Sequence, residues 1–181
     1  RLEKGNFRRR DVRGIEPENN GVTHLIPQLI ASSAEKAEVI LSLFIEKGYQ
    51  EVDINLGCPF PLLAKRHNGS GILPYPEEVK ALLSIVTRYP QISFSVKMRL
   101  GWEQPDECLA LAPILNDLPL RQITMHPRLG KQGYKGEVDL QGFSTHQRTI
   151  PLPGGNHDRT RTTGKSGLST GIQRKPYACA R

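Results

Sequence analysis

Between residues 53 and 73 the sequence reads DINLGCPFPLLAKRHNGSGIL. An asparagine, a cysteine and two glycines crowd the end of a short apolar segment. A chain with three cysteines places one of them directly before a proline in a polar turn. A free cysteine is most often a small buried residue, and this placement asks for another reason. Asn55 is either a turn former or a hydrogen-bonding group for a ligand. Further along, VKMRLGW (96–102) sets Lys97 and Arg99 in an otherwise apolar run, where a charge is costly unless it is paired. ITMHPRLGKQGYKGEVD (123–139) carries His126, Arg128 and Tyr134, and Gln28 lies in THLIPQLIA (23–31).

The elements that must position these residues follow from the hydrophobic pattern. A buried strand is expected over 23–31. Ser32 or Ser33 can cap a helix over 34–48, with Ala37, Ile40, Leu41 and Phe44 at helical spacing and Gly48 at its C-terminal end. A strand is expected over 51–55, a helix over 76–89 with Pro76 in its first turn, and a strand over 92–100. A helix over about 105–117 and a strand over 121–126 complete the series. Strands alternating with helices make βα units and a parallel sheet. Gln28, then Asn55 and Cys58, then Lys97 and Arg99, then His126 and Arg128 fall at the C-terminal ends of successive strands. In a (β/α)8 barrel that rim carries the active site. The expected fold is therefore α/β, a partial (β/α)8 TIM barrel of about four βα units, half of what a closed barrel needs.

Bulk properties narrow the classes. The 181 residues are 37% hydrophobic and 24% charged, a soluble globular composition. No apolar run approaches the roughly 18 residues of a membrane span, and RLEKGNFRRRDVRG at the start is no signal peptide. The missing initiator Met suggests a chain that begins in mid-protein. An odd number of cysteines, with no CxxC and no Cys/His pair at ligand spacing, points to neither a disulfide framework nor a metal site. The expected compartment is the reducing cytoplasm. The net charge of +7 sits mostly in residues 144–181, where seven Lys/Arg face only Asp158. The body keeps a local basic cluster at Arg8, Arg9, Arg10 and Arg13, which either touches phosphates or is a solvated turn.

Taken together, DINLGCPFPLLAKRHNGSGIL, VKMRLGW and ITMHPRLGKQGYKGEVD resemble the tRNA-dihydrouridine synthases, in the family's order on successive strands. The resemblance covers residues 1–143. It implies a flavoenzyme that uses FMN, with NADPH as reductant, to reduce the C5–C6 bond of uridine in tRNA. It implies Cys58 as the catalytic proton donor to C5, and Gln28, Lys97 and His126 as cofactor-binding residues. Asn55, Arg99 and Tyr134 would bind the substrate uridine. Gly69 and Gly71 would permit close backbone approach. No metal is implied.

The family pattern starts with a strand and flavin-contacting turn ahead of this chain's first residue. It continues into phosphate-binding strands and a helical tRNA-binding domain that are not recognisable here. After Phe143 the periodicity stops, and 144–181 reads as a basic tail, disordered or translated out of frame. GKS at 164–166 lacks the earlier glycine and the strand of a phosphate loop. Two domains are thus expected, 1–143 and 144–181. Besides the reductase, two alternatives stand at this stage: a barrel flavoenzyme acting on a free pyrimidine, and a non-catalytic or RNA-binding remnant.

Overall fold

The computed structural model describes residues 24–150, together with residues 2–3, 6–7, 9–19 and 21. Strands β1 (Leu2–Glu3) and β2 (Asn6–Phe7) pair antiparallel ahead of helix α1 (Arg9–Gly14). The chain then alternates. β3 (Gln28–Leu29) leads to α2 (Ala34–Glu46), and β4 (Glu51–Leu56) leads to α3 (Pro61–Ala64), α4 (Pro76–Leu83) and α5 (Ile85–Arg88). β5 (Ser93–Gly101) is followed by α6 (Glu107–Ala110) and α7 (Ala112–Asn116), and β6 (Gln122–Leu129) by α8 (Leu140–Thr149). Strands β3 to β6 form one parallel sheet in chain order. This is a partial (β/α)8 barrel, with the four βα units that the alternation predicts.

Side chains alternate across a strand, and here the alternation divides the chemistry from the core. On one face Leu29, Val52, Ile54, Leu56, Phe94, Val96, Met98, Ile123 and Met125 are all buried in one apolar cluster with the helices. Each such side chain contributes roughly 1.5–3 kcal/mol. The parallel register fixes what lies on the other face. Gln28 is opposite Asp53, Asn55 opposite Lys97, Lys97 opposite Thr124, and Arg99 opposite His126. Every strand residue expected to do chemistry is therefore on one face of one sheet.

The helix α2 forms as its sequence suggests. The Ser33 side chain accepts from the Lys36 N–H at 3.5 Å, and Gly48 takes φ +80° just past the end. Other boundaries differ from expectation for local reasons. Among the described residues of the 23–31 segment, only Gln28 and Leu29 pair as strand; Pro27 has no N–H to give a ladder, although its carbonyl accepts from the Asp53 N–H at 3.0 Å. The helix expected over 76–89 is broken at Ser84, whose hydroxyl donates to the Ala81 carbonyl at 2.7 Å. The one expected over 105–117 is two short helices with Pro113 at the start of the second. The expected boundary at residue 143 falls inside α8, and Phe143 and Ile150 join the core. Residues 151–181 lie outside the described residues, and with them the rest of the expected tail and the GKS segment. Among the described residues no helix is long and apolar enough to cross a membrane.

Candidate active site

The Cys58 turn is built by Asn55. The Asn55 Oδ1 atom accepts from the backbone N–H groups of Gly57 and Cys58, both at 2.9 Å. This side chain thus replaces the sheet as the backbone's partner where β4 ends. Its Nδ2 donates to Gln28 Oε1 at 2.6 Å. Gln28 Nε2 donates to Asp53 Oδ2 at 2.5 Å, and Asp53 Oδ1 accepts from the Ser95 hydroxyl at 2.8 Å. A polar chain therefore crosses three strands and ends on the Cys58 turn. Asp53 and Ser95 were not among the expected site residues. The signal for them was their alternation with buried Val52, Ile54, Phe94 and Val96.

The far side of the turn is held by the segment 69–72, a single 3-10 turn. The Cys58 carbonyl accepts from the Ser70 N–H at 3.0 Å and from its hydroxyl at 2.9 Å. Gly69 has φ +61°, and a Cβ there would stand 2.6 Å from the Cys58 carbonyl oxygen. Only glycine fits that backbone and that gap. Cys58 itself is buried, with 7% of its surface exposed. Cys108 is fully buried in the core, and burial pushes its thiol up to about 12; it is a packing residue.

Arg99 does not lie open to a substrate. It is 2% exposed. Its Nε donates to the Gly57 carbonyl at 2.9 Å, and one terminal nitrogen donates to the carbonyls of Leu129 and Gly133 at 3.0 and 2.7 Å. Three of the five guanidinium N–H groups thus tie the Cys58 turn to the end of β6 and the loop after it. The Arg99 Cζ lies 5.4 Å from the centroid of the Tyr134 ring, within cation–π range. Tyr134 is 69% exposed. Burial lowers the Arg99 pKa from its ordinary value, partly offset by Tyr134.

His126 sits on the same face, buried, and its Nδ1 atom has no hydrogen-bond partner. Arg128 lies 3.4 Å from the other ring nitrogen. A guanidinium can only donate, so Nε2 is the acceptor and Nδ1 carries the proton. Burial, then the charges of Arg99, Lys97 and Arg128, depress the imidazole pKa to about 4. The ring is neutral at pH 7. The folded chain therefore binds fewer protons than the unfolded chain between the ordinary value of 6.5 and about 4. Stability is complete above that window and is lost as pH falls through it, by up to about 3 kcal/mol. Urea unfolding at pH 7 and pH 4.5 measures this, and His126→Gln is expected to flatten the difference.

The structure thus brings Gln28, Asn55, Cys58, Lys97, Arg99 and His126 to one rim, with Tyr134 stacked at its edge. Among the described residues no group of three or more His, Cys, Asp or Glu side chains could hold a metal.

A family model described as dihydrouridine synthase matches residues 6–153. The chain is 29% identical over 128 residues to the tRNA-dihydrouridine synthase B of Vibrio cholerae, a match that covers 70% of this chain and 38% of that protein. It is 29% identical over 147 residues to a probable tRNA-dihydrouridine synthase 1 of Synechocystis, covering 78% and 39%. It is 31% identical over 110 residues to the tRNA-dihydrouridine synthase B of Proteus vulgaris, covering 60% and 34%. The chain spans under two fifths of the length of each of these relatives, or close to it.

Proposed function

Since this chain belongs to the dihydrouridine synthase family, we propose that it serves the flavin-dependent reduction of uridine to 5,6-dihydrouridine in tRNA. The observation that carries the reading is the position of Cys58. Its turn closes the polar rim on which Lys97 and the orphaned Nδ1–H of His126 also lie. A cation and an unused neutral donor, among three positive charges, suit the pyrimidine edge of FMN, which becomes anionic on reduction. Lys97, His126 and Gln28 would hold that edge. Residues 1–143 make up the flavin- and uridine-binding part, NADPH is the reductant, and the cytoplasm is the compartment.

A reduced flavin, when bound, supplies the hydride that uracil takes up at C6. The chain's own part is the proton. Cys58 gives its thiol proton to C5, so that the C5–C6 double bond becomes a single bond and the sulfur is left as thiolate. Arg99, held on the Gly57 carbonyl beside Cys58, offsets the charge left on sulfur. Burial of the thiol keeps bulk water from competing for it. Asn55 and Arg99 enter this reading chiefly as the groups that fix the turn. Tyr134, exposed beside Arg99, is the member of the substrate set that meets the uridine.

Visible absorption of the purified chain, with and without added FMN, tests the reading. A bound-flavin spectrum that bleaches with NADPH is expected. A soluble chain that takes up no flavin would sink the claim that this polypeptide reduces uridine.

A further inference from the structure

A cavity lies behind the Cys58 turn, between the 64–75 segment and the loop after β5. It measures about 420 Å³, within the range of small-molecule sites. One wall is a stacked pair, His67 on Tyr75, with ring centroids 4.0 Å apart and 13° between planes. Trp102 lines the cavity as well. Tyr75 stays 42% exposed although His67 covers one face of its ring. His67 holds φ +51° as the left-handed residue that closes α3, where its own N–H donates to the Ala64 carbonyl and the Asn68 N–H to the Leu63 carbonyl. The Glu78 carboxylate lies 2.8 Å from His67 Nδ1.

The two carboxylates that line the cavity are already engaged. Glu107 accepts from the backbone N–H groups of Trp102, Glu103 and Gln104. Glu103 is paired with Lys131 at 2.6 Å. Lys65, which lines the cavity, and neighbouring Arg66 are exposed and make no ion pair among the described residues. The cavity also touches the reaction centre. Gly71 and Ala64 form part of its lining, and Ser70 between them in the turn holds the Cys58 carbonyl. A Cβ on Gly130 would meet both the Trp102 ring and the Ser70 hydroxyl oxygen, so ring and turn are one residue apart.

We propose that this aromatic cavity seats a nucleobase of the RNA strand that carries the target uridine, stacked against Tyr75 and Trp102, with Lys65 and Arg66 on the adjoining phosphates. It rests on the reading of the substrate as RNA. Flat aromatic walls beside unpaired cations are how single-stranded RNA is held without regard to sequence. A uridine reaches Cys58 only if it leaves its stack. A neighbouring base captured one residue away from the Cys58 turn would keep it out.

Trp102 is the chain's single tryptophan, which makes the test direct. A short oligouridine RNA is titrated into the full chain, with binding followed by the anisotropy of a labelled copy and stacking by tryptophan emission. Saturable quenching that tracks binding is expected. An abasic oligomer of equal length, which keeps the phosphates, should bind more weakly and quench little. Tyr75→Leu should weaken RNA binding about 5- to 100-fold, the loss of one base stack. Because the abasic oligomer leaves the protein untouched, the test stands even if that variant folds poorly. RNA binding with unchanged tryptophan emission, or equal binding of the abasic oligomer, would overturn the cavity assignment while leaving the RNA reading in place. No binding of either oligomer would overturn both.

Discussion

Flavin-loaded protein carrying Cys58→Ala is expected to form dihydrouridine roughly 10²–10⁴ times more slowly than the parent, the usual worth of a positioned general acid. The two-hydrogen mass gain of the target uridine, followed by mass spectrometry of digested tRNA, gives the rate. Flavin uptake should be unchanged. The turn is held by backbone and neighbouring side chains: Asn55 grips N–H groups and Ser70 grips a carbonyl. None of those contacts uses the sulfur, and the methyl group of alanine fits where Cβ already stands. Loss of rate with intact flavin uptake therefore isolates the proton step. Cys58→Ser should recover little, because an alcohol is a far weaker acid than a thiol. An alanine variant that works at the parent rate would show that another group, or water, protonates C5.

The sheet was legible because its signal is periodic. Apolar residues at every second position of EVDIN and ISFSVKMRL, with helical stretches between, leave little choice of fold. The same alternation put Asn55, Lys97, Arg99 and His126 on one face. What the alternation does not carry is the partner of each polar group. Arg99 was expected to bond a uridine, yet three of its N–H groups go to carbonyls of residues 57, 129 and 133. All three lie 30 or more positions away in the chain, in the turn after β4, at the end of β6 and in the loop beyond it. Asn55 was expected at the substrate, and its oxygen instead shapes the turn two and three residues on; that alternative is local and could be weighed from sequence. The neutral state of His126 depends on three cations drawn from two strands, so no single stretch announces it. The aromatic cavity joins residues near 67 to residues near 102. Neither half looks like a site alone.

Arg99→Met should destabilise the fold by about 3 kcal/mol and loosen the Cys58 turn at the same time. Methionine keeps much of the apolar stem and removes every donor. The carbonyls of Gly57, Leu129 and Gly133 then lose the partner the structure gives them; an unmade acceptor costs about 1–3 kcal/mol where it is buried, as at Gly57, and less at half-buried Leu129 and Gly133. Against that stands the relief of no longer burying a charge, whose penalty shows in the lowered Arg99 pKa. Three lost acceptor bonds outweigh one desolvated guanidinium that keeps its charge delocalised and its Tyr134 contact. Arg99→Lys should rescue little, because a single ammonium cannot reach from the Gly57 carbonyl to those of Leu129 and Gly133. Urea unfolding measures the first effect. Alkylation at neutral pH, mapped by peptide mass, measures the second: Cys58 should react faster in the methionine variant, whereas Cys108, buried with its thiol pushed up to about 12, stays unmodified in both folded proteins. A variant with parental stability and parental Cys58 reactivity would mean the loops hold themselves, and would return Arg99 to the role of a substrate ligand.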